Sequence, residues 1–229
     1  MDFDTFVLAA PTADPGAVGG IDRADAIEFR MDLATDPLAA LDAYDGDLPV
    51  IATNRVAGEG GEAPASPDRL DALAAAAEHD AVAAVDVELV ALEDGSANRV
   101  LRQVRDSGCA VVVSAHDFEG TPPRNRLEEL LAAACDRGAV GKLAVRAADP
   151  DDVLDLLAAT RAATVRGRTV ATMAMGEAGR HSRAVAPLYG SRIGYAPPDP
   201  AAATAPGQYD LATLDDLLAS LGLDRGTED

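Results

Sequence analysis

Lys142 is the only lysine in a chain of 229 residues whose other basic side chains are all arginine. It sits in the run Gly138-Ala139-Val140-Gly141-Lys142-Leu143-Ala144-Val145-Arg146. Valine, leucine and alanine bounded by glycine read as a buried strand, where an ammonium is costly to keep charged. Desolvation lowers the pKa of such an amine, and a free amine near neutral pH is what condensation with a ketone or aldehyde requires. The structural alternative is a lysine that snorkels from a strand end or pairs with a carboxylate. Yet a sequence that uses arginine everywhere else had arginine available for a structural cation, and a guanidinium cannot form an imine. His116, in Ser114-Ala115-His116-Asp117-Phe118, has an ordinary pKa of about 6.5 and is the matching proton shuttle, or else a capping histidine. The glycine-rich stretch Asn54-Arg55-Val56-Ala57-Gly58-Glu59-Gly60-Gly61-Glu62 is a flexible loop that also offers Glu59 to orient the histidine.

These residues need elements to position them. Val/Ile/Ala-rich runs recur at Phe6 to Ala10, Ala26 to Asp32, Pro49 to Arg55, Val82 to Leu89, Cys109 to Asp117, Val140 to Arg146, Thr169 to Met175 and Arg192 to Ala196. Helical spacing fills most of the gaps: Arg69 to Glu78 opened by Ser66-Pro67-Asp68, Asn98 to Ser107, Arg126 to Arg137, and Asp151 to Thr164. Strand and helix alternate in units of about 25 to 30 residues, as parallel strands joined by crossover helices do. Eight strands predict an α/β fold, a (β/α)8 TIM barrel in a single domain over residues 1–223. A doubly wound open sheet is the alternative, but no Gly-x-Gly-x-x-Gly follows the first strand. Asp210 to Leu221 reads as the closing helix, with Asp210 as N-cap, and residues 224–229 as a short charged tail.

Strand parity then aims side chains. Glu28, Arg30 and Asp32 alternate with Phe29 and Met31, Asp86 and Glu88 with Val85 and Val87, and Lys142, Ala144 and Arg146 with Leu143 and Val145. A closed parallel barrel has no watery edge for three charges, so the polar face points inward and the charges collect at the C-terminal mouth, where barrel chemistry sits. The glycine-rich segments Gly176 to Arg183 and Thr204 to Gln208 follow strands seven and eight and are expected to clamp anions and hydroxyls. His79 reads as a surface residue, and His181 lies in a loop without an assigned role.

The net charge of −20, with 39 acidic against 19 basic residues, argues against nucleic-acid backbones and anionic membrane surfaces. With 3% aromatic residues and no tryptophan, the chain lacks stacking platforms for bases. Arginine in place of lysine on an acidic surface is suited to molar salt, and the expectation is a halophilic cytosol. No apolar run is long enough to span a membrane and no basic leader precedes the first strand, so a cytoplasmic protein is expected. Cys109 and Cys135 read as buried thiols of a reducing compartment. No Cys/His cluster has metal spacing.

Taken together, Glu28-Phe29-Arg30-Met31-Asp32, Arg55 with Glu59-Gly60-Gly61, Ser114-Ala115-His116-Asp117-Phe118, Gly141-Lys142, Ser182-Arg183 and Ala205-Pro206-Gly207-Gln208 resemble type I 3-dehydroquinate dehydratase of the shikimate pathway. The likeness spans residues 5 to about 220, with each motif at a strand end. It implies a barrel, a homodimer, no metal or organic cofactor, and dehydration of 3-dehydroquinate to 3-dehydroshikimate. It further implies Lys142 as the Schiff-base nucleophile, His116 as the general base and acid, and Glu59 as its orienting partner. Arg183 would clamp the substrate carboxylate, and Glu28, Arg30, Arg55, Thr204 and Gln208 would hold the hydroxyls and lid. Thr204 stands where the family commonly has serine, Leu8 and Ala9 end strand one where some members offer a polar contact, and His181 replaces an aliphatic residue. A class I aldolase, which also uses a strand-six lysine, and a noncatalytic barrel that binds acidic metabolites are the competing functions. The aldolase needs a phosphate clamp or carbonyl-polarising partner that the sequence does not offer.

The surface charge generates a prediction. Screening at 1 M salt shortens the reach of charge repulsion to about 3 Å, so folding and activity are both expected to depend on high salt. Equal stability in dilute buffer and in molar KCl, followed by thermal unfolding, would refute it.

Overall fold

Inward-facing strand positions change from apolar to polar along the chain direction, and this gradient organises the computed structural model, which describes residues 1–18, 21–202 and 204–223. The strands are β1 (Val7–Thr12), β2 (Ala26–Arg30), β3 (Val50–Thr53), β4 (Val82–Glu88), β5 (Ala110–Asp117), β6 (Val140–Arg146), β7 (Val170–Met175) and β8 (Ile193–Tyr195). They form an eight-stranded sheet in the order β7-β6-β5-β4-β3-β2-β1-β8, and every pairing is parallel. The ring is thus the expected (β/α)8 barrel, nearly closed.

At the β7–β8 seam the ladder is reduced to an isolated bridge between Val170 and Ser191. The Arg192 N–H donates to the Val170 carbonyl at 2.7 Å. One residue earlier the Ser191 hydroxyl accepts from the Thr172 N–H at 2.9 Å, so a side chain takes the place of a ladder acceptor at the seam.

Outside the ring lie α1 (Pro37–Asp42), α2 (Pro67–Ala76), α3 (Leu89–Glu93), α4 (Asn98–Asp106), α5 (Arg124–Cys135), α6 (Pro150–Val165), α7 (Gly176–Gly179), α8 (Ser182–Val185) and α9 (Leu211–Ser220). Three of the longer helices, α2, α6 and α9, start at a side-chain cap. Ser66 accepts from Arg69 N ahead of Pro67, Asp149 from Asp151 N and Asp152 N ahead of Pro150, and Asp210 from Thr213 N.

Two apolar layers result. Val7, Ala9, Ala26, Ile51, Ala84, Val112, Val140, Ala171 and Ile193 fill the barrel interior. Ile27, Phe29, Val85, Val111 and Val113 face the helices through Leu70, Leu73 and Leu101. Above the inner layer the same parity brings up Glu28 and Arg30, Thr53, Asp86 and Glu88, Ser114 and His116, and Lys142.

Several expectations need correction. Strand one does not end at Leu8 and Ala9 but runs to Thr12, as the β2 ladder carries it on. Asp32 has left the strand for a 3-10 turn, Met31–Leu33, where it turns back onto Arg30. Arg146 ends β6 exposed, because a barrel flares at its rim and parity no longer aims a side chain at the axis there. The segment after β7 is not an open loop but the short helices α7 and α8. Cys109 and Cys135 are half-buried rather than buried. The expected tail, residues 224–229, lies outside the described residues.

The seam supplies a second prediction. Ser191→Ala leaves the Thr172 N–H buried without its acceptor, a loss of about 1–3 kcal/mol, read as a lowered midpoint of denaturant unfolding in high salt. An unchanged midpoint would mean that the seam does not need the hydroxyl.

Candidate active site

β6 delivers Lys142 to the mouth with its side chain only 5% exposed. Nζ lies 2.9 Å from Asp86 Oδ2 and 3.6 Å from Glu28 Oε1. On another side it stands 4.2 Å from the centre of the Tyr195 ring. The burial expected from the sequence is therefore compensated: the amine is held between two carboxylates and an aromatic face, combining the carboxylate partner of the structural reading with the cleft of the catalytic one.

Asp86, from β4, is fully buried and joins this lysine to the next cation. Its Oδ1 lies 2.8 Å from Arg55 Nη2 and accepts from the Ser114 hydroxyl at 2.5 Å. Burial alone would raise the Asp86 carboxyl, but Arg55 and Lys142 outweigh it and hold it below the ordinary carboxylate range. Arg55 also donates to Ser114 Oγ at 2.7 Å and faces Glu88 Oε1 at 3.2 Å. Burial opposes its charge, yet Asp86 and Glu88 raise its pKa.

The proton-handling pair stands beside this network. His116 Nδ1 lies 2.9 Å from Glu59 Oε2, with side chains 9% and 14% exposed. Burial, reinforced by Arg55 and Lys142, holds the imidazole well below its ordinary pKa, so it is neutral. When Glu59 is ionised, the neutral ring can donate Nδ1–H to its carboxylate and keep the Nε2 lone pair for a proton. Burial pushes the Glu59 carboxyl up to about 7, against the pull of Arg55 and with help from Glu88 and Asp86. Phe118 stacks beside the imidazole, ring centres 6.2 Å apart and planes 14° apart. Gly60 packs against it at φ +79, where a Cβ would run into the Phe118 ring.

Arg183, from α8, is the exception among these cations. No carboxylate pairs with it among the described residues. Its Nε donates to the Gly207 carbonyl at 3.1 Å and its Nη2 to that of Pro206 at 3.3 Å. Burial alone brings the guanidinium down to about 10, which marks a place where an incoming anion is strongly favoured. The same carbonyls belong to the segment carrying Thr204 and Gln208. Gln208 Oε1 accepts from Thr204 N at 2.8 Å and Ala205 N at 3.1 Å, which curls that segment over the mouth.

Glu28, Arg30, Arg55, Glu59, His116, Lys142, Arg183, Thr204 and Gln208 all line one cleft. Arg30 is pre-aimed by a fork to Asp32, Nε to Oδ1 at 2.8 Å and Nη2 to Oδ2 at 2.6 Å. Glu28 accepts from Thr53 Oγ1 at 3.1 Å.

Of the segment after β7, only Arg183 lines this cleft. Arg180 instead stacks over Tyr209 at 4.2 Å, and His181 is exposed. His79 accepts from Ala81 N at 3.2 Å at the end of α2. Sequence reasoning missed Tyr195, Met173 and Met175, whose apolar character hid them among core residues, and Arg69, which arrives from a helix and leaves no strand-end signal. Inward parity was their only available mark, and it holds for the first three.

Comparison with known proteins agrees with this geometry. The family model for type I 3-dehydroquinase matches residues 19–225. The 3-dehydroquinate dehydratase of Haloarcula marismortui is 59% identical, over 98% of this chain and 100% of that protein. Its counterpart in Halobacterium salinarum is 53% identical, over 96% and 100%. The crystal structure of 3-dehydroquinate dehydratase from Geobacillus kaustophilus superposes with a TM-score of 0.86 at 28% identity, covering 96% of this chain and 92% of that one. The type I enzyme of Clostridium difficile, with covalently modified comenic acid, gives 0.85 at 26%, covering 95% and 92%. An eight-stranded barrel with a buried amine, a histidine–carboxylate pair and an arginine that has no carboxylate partner among the described residues, matched over nearly its whole length to such relatives, places this chain in the type I 3-dehydroquinase family of hydro-lyases.

Proposed function

We propose that this chain dehydrates 3-dehydroquinate through an imine on Lys142, with His116 moving the protons and Arg183 binding the substrate carboxylate. The observation that carries the reading is the convergence in one cleft of the lone lysine, the His116–Glu59 pair and Arg183, which has no carboxylate partner among the described residues.

Arg183 accepts the carboxylate because a bidentate guanidinium without an internal counter-ion gains most from one. The Lys142 nitrogen bonds to the ketone carbon while two of its three ammonium protons leave with the ketone oxygen as water, giving an iminium whose charge stays on the nitrogen beside Asp86 and Glu28. That cation withdraws electrons from the neighbouring carbon. His116 Nε2 takes a proton from it, and Glu59 stabilises the imidazolium through Nδ1. The enamine then expels the adjacent hydroxyl, which leaves as water with the proton that His116 returns. Hydrolysis of the conjugated iminium releases 3-dehydroshikimate and restores Lys142, for a net loss of one water. Glu28, Arg30, Arg55, Thr204 and Gln208 hold the remaining hydroxyls and the segment above them.

Support for the covalent step includes the covalently modified ligand of the Clostridium difficile relative. The single catalytic domain over residues 1–223, the homodimer and the cytoplasmic setting complete the proposal. For the last, the chain's contribution is that no helix of the described residues is long and apolar enough to cross a membrane.

Two predictions follow from these roles. Borohydride added during turnover is expected to fix the substrate to the peptide containing Lys142, with a matching mass increase. Lys142→Arg, which keeps charge without the nucleophile, is expected to lose both adduct and turnover. Full activity of that variant, or a mixture borohydride cannot trap, would overturn the imine. The pH dependence concerns Glu59, which must be ionised to stabilise the imidazolium. Activity is present above its pKa and falls as pH drops through about 7, the neutral imidazole being retained throughout. A profile of kcat/KM that stays flat into the ordinary carboxylate range would remove Glu59 from this role.

A further inference from the structure

Arg69 belongs to the outer layer by sequence, as the third residue of α2, yet it is only 7% exposed. Its Nη1 donates to both oxygens of Glu88, at 3.2 and 3.0 Å, and to the Asn54 carbonyl. Glu88 in turn accepts from Val56 N at 3.1 Å and faces Arg55 Nη1 at 3.2 Å. One carboxylate thus stands between two arginines, Arg55 inside the cleft and Arg69 behind it.

We propose that Arg69 is a positioning residue for the dehydration: by neutralising Glu88 from behind, it leaves Arg55 to Asp86 and the cleft and keeps the Glu88 charge off the Glu59–His116 pair. The inference rests on the proton-transfer role proposed for that pair.

The charges around Glu59 set its direction. The groups acting on Glu59 are Arg55 from beyond β3, Asp86 and Glu88 from β4, and His116 from β5. Of these, Arg55 favours the carboxylate, while Glu88 and Asp86 favour its protonated form. Without Arg69 the Glu88 charge is left to Arg55 and the Val56 N–H alone in a water-poor place. It then draws on Arg55 more strongly and repels the Glu59 carboxylate more strongly. Both changes favour protonated Glu59, so His116 loses its acceptor at a higher pH. A residue that merely pinned α2 to the end of β3 would lower activity evenly across pH.

The test is the kcat/KM–pH profile of the full chain acting on 3-dehydroquinate in molar KCl, for the parent, Arg69→Met and Arg69→Lys. Arg69→Met is expected to lose activity about tenfold at neutral pH, to move the acid limb up by about one pH unit and to recover above it. Arg69→Lys keeps the charge and should leave the limb where the parent has it. Should Arg69→Met fail to fold, Glu88→Gln carries the test: it removes the charge that Arg69 offsets, so its acid limb is expected to move down. An unmoved limb in Arg69→Met, or in Glu88→Gln where that variant stands in, overturns the inference, as does an equal shift in Arg69→Lys. An inactive parent would overturn the functional reading together with it, whereas an active parent with an unmoved limb overturns this inference alone.

Discussion

Asp86 is the group on which the mouth of the barrel depends. One oxygen holds the Lys142 amine and the other takes both the Arg55 guanidinium and the Ser114 hydroxyl. All of these are buried, so each charge is tolerable only because the others are present. Removing one partner of such a pair typically costs about 3–5 kcal/mol, because it strands the other in a medium that solvates it poorly. The reactive amine is therefore held in place by the same network that makes its burial possible. Its position is set by strands β4, β5 and β6 together rather than by its own strand.

Charge balance across the cleft is uneven in an informative way. Arg30 is forked to Asp32, Arg55 is shared by Asp86 and Glu88, and Lys142 lies between Asp86 and Glu28. Arg183 has carbonyls where the others have carboxylates. The carbonyls orient it without neutralising it. A planar anion arriving there meets a donor already aimed and desolvated, so little further ordering is required on binding. The carbonyls come from the segment that Gln208 curls, and Gly207 at φ +75 lets that segment lie against Gly176, where a Cβ would strike the Gly176 carbonyl. The anion clamp and the cover over the cleft are in this sense one structure.

The surface follows a separate logic. Its acidic excess is spread over solvent-facing positions, whereas in the cleft all the cations but Arg183 face carboxylates. The relatives from Haloarcula marismortui and Halobacterium salinarum come from halophilic organisms, in keeping with a surface suited to screened repulsion. The interior meets the shortage of aromatic residues with alanine and valine inside the ring and Phe29 with leucines outside it.

Parity and spacing made much of this legible without coordinates. Inward Glu28, Arg30, Asp86, Glu88 and Lys142 follow from period-two alternation, and eight strand-like runs separated by capped helices specify the barrel, because these patterns are local and the ring has few ways to satisfy them. The residues assigned by resemblance, Glu59, Arg183, Thr204 and Gln208, were readable as motifs but not as geometry. What only the tertiary structure decided is which side chains meet. Arg69 reaches Glu88 from a helix, Tyr195 lies under the amine from the last strand, Asp32 folds back onto Arg30 after leaving its strand, and Arg146 escapes the parity that aimed it inward. These outcomes depend on ring closure, on the flare of the rim and on long-range charge pairing, and those interactions join residues whose separation along the chain carries no record of them.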